Sequence, residues 1–145
     1  MPQKTFLRNL LLRRFNWVEE HSLELARAHG YGSVTPALSR LFGNMGGHPA
    51  GLSDLSRRMG ISRQAVHKLA NEAAKLGLVE FVPSVTDTRV VCLQFTKAGW
   101  TMSADAARSF EEIEARIKSQ IGAKNLIELK RLLALPWDAT ESKKP

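Results

Sequence analysis

Between residues 51 and 95 two helical repeats of apolar side chains are separated by only three residues, Gly60-Ile61-Ser62, and this spacing constrains the fold most tightly. A glycine can take the left-handed conformation that closes one helix, a serine can cap the next, and an isoleucine between them can plug the core beneath both. The first of these helices is expected to turn Leu52, Leu55 and Met59 inward, with Ser53 as its cap and Asp54 at its positive end. The second, 62–76, has Val66, Leu69, Ala70, Ala73 and Leu76 on one side. Its other side presents Arg63, Gln64, His67, Lys68, Asn71 and Lys75. Gly77 ends it, and Leu78 is the apolar residue expected just after such a stop.

A hairpin follows. Val79 and Phe81 alternate with Glu80, residues 83–88 supply a turn, and Val91, Leu93 and Phe95 alternate with Cys92 and Gln94, so one face should be buried. Helix, turn, helix and hairpin in this order make a winged helix-turn-helix. The polar types on the second helix are those that meet major-groove edges, Arg or Lys toward guanine and Gln or Asn toward adenine. Any surface helix carries polar residues, and it is the position after a helix-turn that favours DNA. At the hairpin tip Asp87 and Arg89 lie two apart, on one side of an extended chain. An arginine braced by a carboxylate suits a narrow minor groove; as an ordinary turn ion pair it contributes about 0 to 1 kcal/mol.

The flanking segments are helical. From about Thr5 to Ala28 there is no Gly or Pro, and Leu7, Leu11, Val18 and Leu25 recur near helical spacing, with Gly30 and Gly32 as the stop. Trp17 and His21, four apart, share a face and suit either core packing or a small-molecule contact. Thr35-Pro36 starts a short helix with Ala37, Leu38, Leu41 and Phe42 as its stripe, expected to end before Gly43. The loop GNMGGHPAG lacks the Gly-Lys-Ser/Thr ending of a phosphate-binding loop and any GxGxxG pattern. After Thr96, a cap, Ala106, Phe110, Ile113, Ile117 and Ile121 form a narrow seam, either core or association surface. Gly122 interrupts it, Asn125-x-x-Glu128 resembles a capping box, and Leu126, Leu129, Leu132 and Leu133 mark a last helix stopped by Pro136. The tail TESKKP is expected to fray.

Composition narrows the function classes. The chain has 145 residues, enough for one substantial core, with 21 Lys and Arg against 14 Asp and Glu, a net charge of +7 that favours a polyanionic partner. No apolar run approaches a membrane span, and Arg8, Arg13 and Arg14 interrupt the N-terminal segment where a secretory signal would be continuous, so a cytoplasmic protein is expected. The single cysteine, Cys92, rules out an intrachain disulfide and a cysteine-based zinc cluster; in its β-branched run it reads as a small buried hydrophobe ahead of a redox thiol. His21, His29, His48 and His67 show no metal-ligand spacing, and neither a cofactor nor an enzyme activity is expected.

The block LSDLSRRMGISRQAVHKLANEAAKLGLVE, followed by Asp-Thr-Arg and FTKAG, resembles the MarR (multiple antibiotic resistance regulator) family of transcription factors. The family's wing pattern, Asp-x-Arg and then Leu-Thr-x-x-Gly, is met by Asp87, Arg89, Thr96 and Gly99, with Phe95 in place of the leucine. The resemblance covers nearly the whole chain by element order. It implies a mainly α fold with a small β-hairpin wing, in one MarR-like domain. Within it, residues 35–97 form the DNA-binding lobe, and residues 1–30 and 98–137 form dimerisation helices.

It further implies a homodimeric, ligand-responsive repressor reading a palindromic operator in double-stranded DNA. The resemblance sends the helix 62–76 into the major groove and the wing 83–89 into the minor groove; carried over by position, Ser62, Arg63, Gln64, His67 and Lys68 become DNA contacts, Arg89 the wing contact and Asp87 its brace. Two departures stand out: PSVTDTR has fewer basic residues than many wings, and the N-terminal helix lacks the cysteine of the family's hydroperoxide sensors. Trp17, His21, Tyr31 and Phe42 are the candidates for a pocket that takes a small aromatic effector. The alternatives are a winged-helix protein-interaction module that does not read DNA, and a metal- or redox-responsive regulator.

Overall fold

A computed structural model of the chain describes residues 4–141; the last four residues of the tail expected to fray lie outside them. The elements run α1 (Leu7–Ala28), α2 (Pro36–Asn44), β1 (Ala50–Gly51), α3 (Leu52–Met59), α4 (Arg63–Lys75), β2 (Val79–Pro83), β3 (Val91–Phe95), α5 (Lys97–Ile121) and α6 (Ala123–Ala134). The fold is mainly α with a small antiparallel sheet, the architecture of a winged helix. Two compact units divide at Ser109 and Phe110, with α5 continuous through the division.

In the first unit the Gly60 turn forms as its residue types require. Gly60 takes φ 65°, closing α3 in the left-handed region, and the Ile61 amide donates to the Ser56 carbonyl at 3.3 Å. Ser62 Oγ accepts the Ala65 amide at 3.1 Å and so caps α4. Thr35 does the same for α2, accepting from Leu38 at 3.2 Å beside Pro36 at the first helical position. Beneath these helices Leu38, Leu41, Leu55, Val66, Ala70, Ala73, Val79, Leu93 and Phe95 form the core, with Ile61 and Phe42 packed against it.

The hairpin is part of a three-stranded sheet in the order β1-β3-β2, with Ala50 opposite Leu93 and Gly51 opposite Cys92. The third strand corrects the expectation of two. β2 covers only one edge of β3; Cys92 and Leu93 are buried, and their backbone groups on the other edge need a partner, which the loop before α3 supplies. Gly51 leads straight from that strand into α3 as its cap, so Ser53 lies within the first turn and does not cap it; Asp54 occupies that turn as expected. Gly43, expected outside α2, is inside it.

Burial along the wing also departs from simple alternation. Val79, Leu93 and Phe95 are buried, but Phe81 is 36% exposed and Val91 47%, because the inner face of the sheet extends beyond the helices that cover its base. Leu76, expected inward, is exposed at the end of α4.

Thr96 ties three elements together. Its hydroxyl donates to the Gly77 carbonyl at 2.6 Å and accepts the Gly99 amide at 3.1 Å, while its own amide donates to the Leu78 carbonyl at 3.1 Å. Gly99 allows this approach: a Cβ there would lie 2.0 Å from the Leu78 carbonyl oxygen, inside any real contact.

In the second unit Ile113 is buried, whereas Phe110 and Ile121, counted in the same seam, are exposed. The buried positions along α5 are Gly99, Met102, Ser109 and Ile113, of which only Ile113 belongs to the expected seam. Gly122, at φ 90°, separates α5 from α6. No capping box forms: Asn125 Nδ2 donates back to the Ile121 carbonyl at 2.8 Å, and Glu128 pairs with Arg131 at 2.6 Å. Lys130 and Glu114 add an ion pair at 2.9 Å between the two helices.

Candidate nucleic-acid interface

Two features built on the first unit's sheet and helices define the site. The first is the outer face of α4. Burial of Val66, Ala70 and Ala73 fixes the rotation of the helix, which leaves Arg63, Gln64, His67, Lys68, Asn71 and Lys75 exposed. His67 is held on two sides. Its ring lies 5.6 Å from that of Phe81 at 30°, and its Nδ1 receives Asn71 Nδ2 at 2.9 Å.

The second is the wing tip. Asp87 Oδ1 accepts from both the backbone amide and Nε of Arg89 at 3.1 Å, and Oδ2 accepts from its terminal nitrogen at 3.2 Å. The bonds from Arg89 hold the Asp87 carboxyl below its ordinary range. A turn brings the two together, with the Val90 amide donating to the Asp87 carbonyl at 2.9 Å, in place of the extended strand that their spacing suggested. The guanidinium stays open to solvent, the Arg89 side chain being 89% exposed.

These features share one surface. Arg63, Gln64, His67 and Arg89 line a recess of about 460 Å³ together with Leu52, Ser53, Val90 and Val91. Of the residues expected at the interface, Ser62, Lys68 and Asp87 lie outside that lining: Ser62 is engaged as a cap, Lys68 is exposed on α4, and Asp87 sits behind Arg89. Sequence reasoning missed Phe81 and the Asn71 bond. Phe81 was assigned inward by alternation, and only the extent of the covering helices shows otherwise.

The four effector candidates enter three different contacts. Trp17 and His21 rings lie 4.3 Å apart, with His21 Nδ1 2.8 Å from the Trp17 carbonyl. The Tyr31 hydroxyl donates to Asp105 Oδ2 at 2.7 Å. That bond raises the Tyr31 phenol and, with smaller contributions from Arg108 and His29, lowers the Asp105 carboxyl. Phe42 packs on Phe95 at 5.9 Å, and Phe95 on Trp100 at 5.1 Å. Cys92 is buried, and the described residues contain no group of three or more His, Cys, Asp and Glu able to hold a metal ion. No described helix is long and apolar enough to cross a membrane.

Comparison with known proteins agrees with this geometry. The sequence profile of the MarR family matches residues 33–90. A search of curated proteins gives no match. Among solved structures, the reduced form of MarR from E. coli superposes with a TM-score of 0.74 at 17% identity, covering 92% of this chain and 99% of that one. The YusO protein from Bacillus subtilis gives 0.61 at 22% identity over 88% and 89% of the two chains. The transcriptional regulator Tm0710 from Thermotoga maritima gives 0.62 at 20% identity over 87% of each. At these identities the likeness is one of fold. Residues 33–90, with the helix-turn-helix and the wing tip inside them, therefore match the MarR family profile, on a chain that shares its fold with the solved structure of MarR.

Proposed function

We propose that the protein is a homodimeric, sequence-specific DNA-binding regulator. The observation that carries this reading is the shared recess: Arg63, Gln64 and His67 on α4 and Arg89 on the wing face one concave surface. A helix with such side chains at its N-terminal turns fits a major groove, and a braced, exposed arginine beside it fits the adjoining minor groove. In this reading Ser62 and Lys68 add contacts to the backbone, Asp87 orients Arg89, and residues 35–97 act as the reading lobe. Residues 1–30 and 98–137 pair two copies, so the operator is palindromic.

The proposed output is repression relieved by a small aromatic effector, with Trp17, His21, Tyr31 and Phe42 as the residues to probe. Such an effector acts only by binding the released form better than the DNA-competent one.

Selection of binding sites from random DNA tests the reading. The parent should enrich a palindrome whose half-site centres lie roughly 34 Å apart. Arg63→Ala or Gln64→Ala should relax the preference at one base pair per half-site, at a cost of about 1 to 3 kcal/mol. Enrichment of no site, or selection by both variants of the parent's site unchanged, would refute it.

A further inference from the structure

The recognition face contains a three-residue assembly that lies across two elements. Phe81 belongs to β2, opposite Leu93 and on the same face of the sheet as buried Val79, yet it is 36% exposed. Its ring meets that of His67 on α4, stacked at 5.6 Å. From the same helix Asn71, one turn on, directs its amide nitrogen to His67 Nδ1 at 2.9 Å. With Asn71 Nδ2 placed as the donor, Nδ1 accepts, which leaves Nε2 as the N–H of the ring. The ring is thus held in plane by an aromatic neighbour and in tautomer by a hydrogen bond, with its one remaining polar atom a donor.

We infer that Phe81 and Asn71 are positioning residues that set His67 as a fixed hydrogen-bond donor, giving it a preference for purine N7 at one base pair of each half-site. The inference rests on the proposed DNA-reading function and deepens it. A histidine free to turn about two side-chain bonds would lose that freedom on meeting a base, and either ring nitrogen could present a donor or an acceptor. Fixing the ring beforehand removes both the entropy loss and the ambiguity. N7 is an acceptor on both guanine and adenine in the major groove, whereas cytosine N4 only donates; thymine O4 also accepts, so the donor refuses cytosine, and deleting N7 alone identifies a purine as its partner. Asn71, engaged with His67, is withdrawn from reading a base itself. The wing acquires a second task, since the strand that leads to Arg89 also holds a side chain of the reading helix.

The test uses the full-length protein and its selected site, with 7-deazapurine placed at each purine in turn to delete N7 alone. One position per half-site should weaken parent binding about tenfold. At that position His67→Ala and Phe81→Ala should lose nothing further, because both have already forfeited the contact, while Phe81→Tyr, which keeps the ring, should respond as the parent does. Thermal unfolding of Phe81→Ala provides the folding control.

If Phe81→Ala remains as sensitive to 7-deazapurine at that position as the parent, or if no position depends on His67, the positioning role is refuted while DNA reading stands on Arg63 and Gln64. Failure of the parent to select any site would overturn both.

Discussion

Tyr31 and Asp105 meet across 74 residues, and their hydrogen bond ties the segment after α1 to the first part of α5. The bond leaves the Asp105 carboxyl more acidic in the folded chain than in the unfolded one, and the Tyr31 phenol less acidic. For the carboxyl, the stabilisation is present above its unfolded value and is lost as pH falls through the lowered folded one. For the phenol, it is present below its unfolded value and is lost as pH rises through the raised folded one. Tyr31→Phe should therefore lower the melting temperature most between about pH 5 and pH 9, with the gap to the parent closing below about pH 4 and above about pH 10. A gap independent of pH would show that the hydroxyl bond contributes nothing to it. Nothing local in the sequence signals such a pair. Asp87 and Arg89 were legible because two residues separate cause from effect, whereas Tyr31 was read only as a candidate for the effector pocket.

At the scale of elements, Ser62 holds two assignments that can be separated. Its hydroxyl caps α4, and the proposed function also sets it against phosphate. Ser62→Asp keeps a capping oxygen and adds a negative charge. Stability should stay within a few tenths of a kcal/mol of the parent, while DNA affinity falls; Ser62→Ala should instead cost about 1 kcal/mol of stability. Equal DNA affinity of Ser62→Asp and the parent, in a gel-shift titration, would remove Ser62 from the interface. The α3-turn-α4 unit could be read almost in full from sequence, since glycine, isoleucine and serine each answer a separate steric or hydrogen-bonding need. β1 could not: two residues, Ala50 and Gly51, show no periodicity, and only the exposed edge of β3 calls for them. Phe81 was misjudged for a related reason. Alternation assigns a face, but how far the neighbouring helices cover that face is a property of their lengths and angles.

Across the whole molecule the unresolved surplus is apolar. Phe6, Leu7, Leu10, Leu12 and Phe15 at the N-terminal end, and Ile127, Leu129, Leu132 and Leu133 on α6, are all exposed in the single chain. So many large apolar side chains open to solvent at each of these two places support the proposed dimer. Sedimentation should give twice the chain mass, and Ile127→Glu, at a position 68% exposed and so harmless to the isolated fold, should shift the protein toward monomer. An unaltered sedimentation coefficient would exclude α6 from the interface. Sequence periodicity located these helices yet could not separate core from partner surface, because a stripe that faces a neighbour has the same spacing as one that faces its own interior. Thr96 bears on how such an assembly would be driven. One residue, through its hydroxyl and its backbone amide, grips the end of α4, the root of the wing and the beginning of α5. In the proposed regulator the beginning of α5 would thus act as a crank handle: torque applied there would turn reader and wing in step, and an effector's work would go into re-aiming the pair, with their mutual angle preserved.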